Sequence, residues 1–149
     1  MGIISLASSN SCWRGLDYYK NKRIIELNKI NENEYSSIVK GTNNYNVHLD
    51  IKHPRKSSCN CPLANGKRII CKHIVATYFT AMPKEATNFE EEQNRLQEEY
   101  EKEQEEEYDK VIKYLNKMSK QELIEELIHI FDYGPEWIYD EFVRRNYIE

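Results

Sequence analysis

The chain has 149 residues, of which 40% are hydrophobic and 31% charged, with a formal net charge of −4 at pH 7. That bounds it to one domain, or one domain with an appended helical segment, with a modest core and much solvated surface. No run approaches the ~18 apolar residues of a membrane span, and the opening MGIISLASSNSC lacks the regions of a secretory signal, so a reducing cytoplasm is the expected location.

Residues 1–12 are expected to form an irregular arm. Cys12 has no second cysteine or histidine near it in sequence and reads as a small apolar filler. Trp13, Tyr18 and Tyr19 would pin the arm to a sheet; a platform for stacking bases is the sharper alternative. Three strands follow. Arg23–Ile30 is rich in isoleucine and leucine, and Asn31–Glu34 is a polar turn. Tyr35–Lys40 leads to a second turn at Gly41–Asn44. Asn44–Lys52 alternates cleanly, with Tyr45, Val47, Leu49 and Ile51 on one face and Asn46, His48, Asp50 and Lys52 on the other. Connections this short imply an antiparallel meander.

The densest chemistry lies next. Cys59, Cys61, Cys71 and His73 form the pattern Cys-x-Cys, nine residues, Cys-x-His, so that three of the four cysteines and one of the four histidines fall within fifteen residues. A closed zinc site needs four N or S ligands, with Zn–S near ~2.3 Å and Zn–N near ~2.0 Å. Residues i and i+2 of an extended segment point to the same side, so Cys59 and Cys61 can grip one ion from a strand end. Pro62 takes the chain off that strand. Asn65-Gly66 suits a tight turn, and Lys67–Ile70 is expected to return as a second short strand that delivers Cys71. From Lys72 the residues read as a helix stopped before Pro83, with His73 in its first turn. The expected unit is a β-hairpin-plus-helix finger around one structural Zn²⁺. A disulfide fits poorly, because Cys59 and Cys61 are too close for an ordinary bridge; an iron–sulfur or redox site is the remaining alternative. His53, six residues before Cys59, is superfluous once the set is complete, and His48 falls on the wet face.

These residues resemble the SWIM-type zinc finger, whose signature is Cys-x-Cys, a variable spacer and Cys-x-His. Arg14-Gly15, Tyr18-Tyr19, Val39-Lys40-Gly41, Tyr45-Asn46-Val47, Cys61-Pro62 and Cys71 to Ala76 are similar to prokaryotic SWIM-domain proteins, a likeness that covers about residues 8–83. The resemblance implies binding of DNA or protein. SWIM fingers also occur with Swi/Snf-type ATPases and Mutator-class transposases, which implies a helicase- or ATPase-type partner, since the chain has no such core of its own.

Beyond Pro83 the composition turns acidic. Asn88–Lys117 is dominated by glutamate, with i,i+4 pairs such as Glu98–Lys102 and a thin apolar stripe of Leu96, Tyr100, Tyr108, Val111 and Leu115. This predicts a long solvated helix. Ser119 to Glu122 is a capping box that opens a further helix, with Leu123, Ile124, Leu127, Ile128 and Phe131 as its buried stripe. Gly134-Pro135 separates it from a last helix, Glu136–Tyr147. The fold class is thus α+β: a small antiparallel sheet with a zinc finger, then a C-terminal helical segment. The divisions are 1–86 for the zinc-binding domain, 87–118 for the acidic arm and 119–149 for the helical hairpin.

Charge divides along the same lines. Residues 1–86 hold 13 Lys/Arg and 6 Asp/Glu, a net of +7, whereas residues 87–149 hold 8 and 19, a net of −11. Arg55, Lys56, Lys67, Arg68 and Lys72 surround the ligands, either as counter-charges for three thiolates or as contacts for nucleic-acid phosphates. No phosphate-cradling glycine loop, nucleophile elbow or identifiable acid/base pair is present, so no catalysis is expected. Two functions are consistent with these features: a zinc-dependent nucleic-acid-binding module, or a protein-interaction adaptor that uses its acidic helices. A further alternative joins the two: the glutamate-rich helix folds over the basic half and screens it.

Overall fold

A computed structural model describes residues 2–146; Met1 and Tyr147–Glu149, including the expected end of the last helix at Tyr147, lie outside the described residues. The elements in chain order are α1 (Ile3–Leu6), α2 (Ser9–Lys20), β1 (Ile24–Lys29), β2 (Glu34–Lys40), β3 (Asn44–Asp50), a 3-10 turn (Pro54–Lys56), β4 (Ser58–Cys59), α3 (Lys72–Ala81), α4 (Pro83–Leu115), α5 (Lys120–Tyr133) and α6 (Glu136–Asn146). The chain divides into two compact units, one reaching to Asn94 and one starting at Arg95, so that the division falls in the sequence of α4. No helix among the described residues is long and apolar enough to cross a membrane.

The first unit is α+β, as the sequence predicts. Its four strands form an antiparallel meander in the order β1-β2-β3-β4. Tyr35 pairs with Leu49, Ser37 with Val47 and Val39 with Tyr45. An irregularity between Ile24 and Glu26 breaks the register of β1 against β2. The alternation of β3 is realised at Val47 and Leu49, which are buried, while Tyr45 and Ile51 are half-buried. Asp50 departs from it. Its carboxylate accepts the backbone N–H of His53 at 2.6 Å, and its own N–H donates to Ser57 Oγ at 2.9 Å, so a residue expected on the wet face is buried.

Residues 1–12 are not an irregular arm. Ser8 caps α2 through its side chain, and Ser11, Cys12, Gly15 and Leu16 are buried on one helical face. That spacing is the 3.6-residue period of an amphipathic helix. Trp13, Tyr18 and Tyr19 therefore pack against helices: Trp13 meets Phe89, Tyr19 meets Phe79 and Tyr18 meets His73. Gly15 is what lets α2 lie against α3, because a Cβ there would stand 2.5 Å from Val75 Cγ1 and 3.1 Å from the Lys72 carbonyl oxygen.

Helix α3 is the centre of the core, with Ile74, Val75, Ala76, Thr77 and Phe79 fully buried. One buried polar link ties it to the sheet. Thr77 donates its hydroxyl to the His73 carbonyl at 2.9 Å, so Ser37 is the donor in the 2.6 Å contact between Ser37 Oγ and Thr77 Oγ1. Helix α4 begins at Pro83, five residues before the expected Asn88, because proline is well suited to the first helical position. Its first turns belong to the first unit: Ala86 is buried, Phe89 packs on Trp13 and Phe79, and Glu90 pairs with Lys20.

In the second unit the capping box forms as the sequence predicts. Ser119 Oγ accepts the Glu122 N–H at 3.3 Å, and Glu122 Oε2 accepts the Ser119 N–H at 2.7 Å. The apolar stripe of α5 is not buried as expected: Leu123, Ile124, Leu127 and Ile128 are 38–51% exposed. A two-helix hairpin has no third layer to cover that stripe. Phe131 packs its ring against Tyr139 and Phe142 of α6.

Candidate metal centre

Each of the four ligand candidates is held by a different local device. Cys59 ends β4, where it pairs with Val47 at the sheet edge. Asn60 fastens the next step, accepting the Asn46 N–H at 2.9 Å and donating its own N–H to the Asn46 carbonyl. At Cys61 the chain winds into turns, with the Cys61 carbonyl accepting from both Ala64 and Asn65. Gly66 takes φ of +68° in this loop. The return strand expected over Lys67–Ile70 does not form. β4 is only two residues long, too short an edge to order a partner strand, and the loop crosses irregularly to Cys71. Cys71 is the N-cap of α3, and His73 sits in its first turn.

The four side chains converge despite that difference. All are buried, and their ligand atoms lie within 4.8 Å of one another. His73 Nδ1 is 3.6 Å from Cys59 Sγ and 3.9 Å from Cys71 Sγ. A tetrahedron with Zn–S near 2.3 Å and Zn–N near 2.0 Å has S···N edges of about 3.5 Å, so the donor set fits zinc. None of the four cysteines is in a disulfide. Cys12 is buried away from this group, its Sγ 3.7 Å from the Ile4 carbonyl, as a filler should be. His53 instead pairs with Asp50 at 3.3 Å, and His48 lies 3.5 Å from Glu34.

The electrostatics favour a thiolate at the helix end. A hydrogen bond from the Cys59 thiol, contacts with His73, and the backbone N–H groups of Ile74 and His73 together lower the Cys71 pKa despite its burial. The same sharing, with burial, raises that of Cys59. Aromatic rings hold the histidine. Tyr45 stacks on it at 4.6 Å between centroids, and Tyr18 meets it edge-on at 5.4 Å. Its Nε2 is buried without a hydrogen-bond partner among the described residues, while Nδ1 faces the sulfurs.

The basic residues named from sequence sit on different elements. Lys67 and Arg68 are exposed on the loop between ligands, and Lys72 opens α3 with its ammonium 4.5 Å above the Tyr18 ring. Arg55 and Lys56 line a separate shallow depression with Leu6, His53 and Pro54. Sequence reasoning missed Arg14, Ser8 and Ser11, which join Lys72 and His73 around a cavity beside the metal centre. Their i, i+3 spacing from Ser8 to Ser11 to Arg14 was the available signal.

A buried Cys₃His set with all four positions supplied by protein defines a structural zinc finger. Residues 45–81 match the family model of the SWIM zinc finger, and this stretch of the chain is a SWIM-type zinc finger that holds one structural Zn²⁺. No curated protein and no solved structure matches the chain.

Proposed function

We propose that the protein is a nucleic-acid-binding module whose zinc holds the fold and which carries out no catalysis of its own. The observation that carries this reading is the set of cations on the finger itself: Lys67 and Arg68 exposed on the loop between ligands, and Lys72 at the start of α3. They belong to a half of the chain with a net charge of +7. Such a surface attracts phosphates and releases their counterions on binding. The zinc with three thiolates and a neutral imidazole carries −1, which these residues also offset. A cytoplasmic location and a helicase- or ATPase-type partner belong to the same proposal.

A second reading has its own support. Tyr133 and Trp137 of the second unit are 80% and 67% exposed, and no residue of α5 or α6 is fully buried. A protein-interaction adaptor would cover such surface with a partner. A salt-titrated DNA-binding assay on the zinc-loaded chain separates the two. Binding that falls steeply with salt supports the nucleic-acid module. Absence of binding, with capture of a protein partner that survives nuclease treatment, would replace it with the adaptor.

A further inference from the structure

The cavity beside the metal centre has a volume of about 300 Å³, at the lower end of the range of small-ligand sites. Two cationic side chains line it, Arg14 from α2 and Lys72 from α3, together with Ser8 and Ser11, the Ser8 hydroxyl being donated to Ser11 Oγ. Tyr45 and Leu63 supply apolar wall. Its floor is the metal centre itself, Cys61, Cys71 and His73, and among the described residues no carboxylate lines it. Helices of 12 and 10 residues begin here, α2 and α3, and the start of each adds partial positive charge. Arg14 and Lys72 outweigh the −1 of a zinc bound by three thiolates. Donors of this kind around a positive cavity select an anion with several acceptor oxygens, which is the chemistry of a phosphate.

We propose that this cavity binds one phosphate of a nucleic-acid strand, with Arg14 and Lys72 as its charged contacts and the wall of Tyr45 and Leu63 against the attached nucleoside. The proposal rests on the nucleic-acid reading above and gives it a location. Arg14 offers a planar fork of donors. Lys72 is steadied by the Tyr18 ring beneath it.

The test measures anisotropy of a labelled single-stranded DNA against the full-length, zinc-loaded chain over a range of salt. Arg14→Gln and Lys72→Gln should each weaken binding by roughly tenfold, with zinc content unchanged. Each should also make the slope of log K against log salt shallower by about one. Lys29→Gln, exposed on β1 and outside the cavity, should change affinity by less than about twofold. Equal losses in all three variants, with wild-type binding intact, would overturn the cavity and leave the nucleic-acid reading standing. No strand binding by the wild type would overturn both. A parallel NMR titration with inorganic phosphate and a nucleoside 5′-monophosphate separates the sources. Shifts at the amides of Ser9 to Ser11 and Lys72 without strand binding would replace the strand with a free phosphorylated ligand.

Discussion

Replacing Cys71 by serine should unfold the first unit, whereas the same change at Cys12 should cost little. Both thiols are buried, at 1% and 3% exposure, so burial alone predicts similar losses. The difference lies in the metal. Structural zinc contributes about 10–16 kcal/mol of apparent binding free energy in small fingers, comparable with the whole stability of about 5–15 kcal/mol of a typical domain. A serine at position 71 forfeits a thiolate ligand and much of that energy. At Cys12 a serine hydroxyl can still donate to the Ile4 carbonyl, which the thiol meets at 3.7 Å. The expected cost there is about 1 kcal/mol, or roughly 4–8 °C in a unit of this size. Thermal unfolding followed by circular dichroism, with zinc measured on the same samples, checks both. Cys71→Ser should lose its metal and its cooperative transition, and a strong chelator should produce the same state from wild type. Equal losses at the two positions, or no response to the chelator, would refute the ligand assignment.

Other consequences are local. Gly15→Ala drives a methyl into Val75 and should cost about 1–3 kcal/mol by overpacking, seen as a lowered Tm with full zinc content. Asp50→Ala leaves the His53 N–H without its acceptor and should cost about 1–3 kcal/mol at pH 7, read from denaturant unfolding. Burial raises the Asp50 pKa, but the His53 N–H, the His53 charge and Lys56 outweigh it and hold it below 3.8. A depressed pKa means that this contribution is complete above 3.8 and lost only as pH falls through the lower, folded value. Acidification should release zinc well before that, since protons compete for the three thiolates and the imidazole. A zinc-sensitive dye should therefore report release with falling pH, and retention of metal at pH 4 would contradict a Cys₃His site.

The ligand set was legible because its chemistry is tied to residue type: three cysteines and a histidine in fifteen positions have few structural explanations. The β2 and β3 strands were legible from alternation bounded by polar turns. What failed was whatever depended on a partner distant in sequence. Helix α2 is poor in strong helix formers and contains Gly15, yet burial of Leu16 and the close approach to Val75 fix it as a helix. The strand over Lys67–Ile70 looked plausible from the Asn65-Gly66 turn alone. The strand it would have paired with, β4, is only Ser58 and Cys59, too short an edge to order a neighbour. Tyr45 was placed on the core face, but nothing in the alternation says that its neighbour there is the ring of His73.

The same long-range dependence bears on function. Cys59 belongs to the edge of the sheet, Cys61 to the loop, and Cys71 and His73 to the start of α3. One ion therefore ties three elements together at the point where the sheet is narrowest and the hairpin is missing. The loop it holds carries Lys67 and Arg68, and the helix start carries Lys72. Tyr18 and Tyr45 bracket His73 while also lining the cavity with Arg14. Any shift of the imidazole moves that wall. The structural zinc thereby sets the positions of the cations and rings on which the proposed binding depends. Loss of zinc and loss of binding should thus follow one curve.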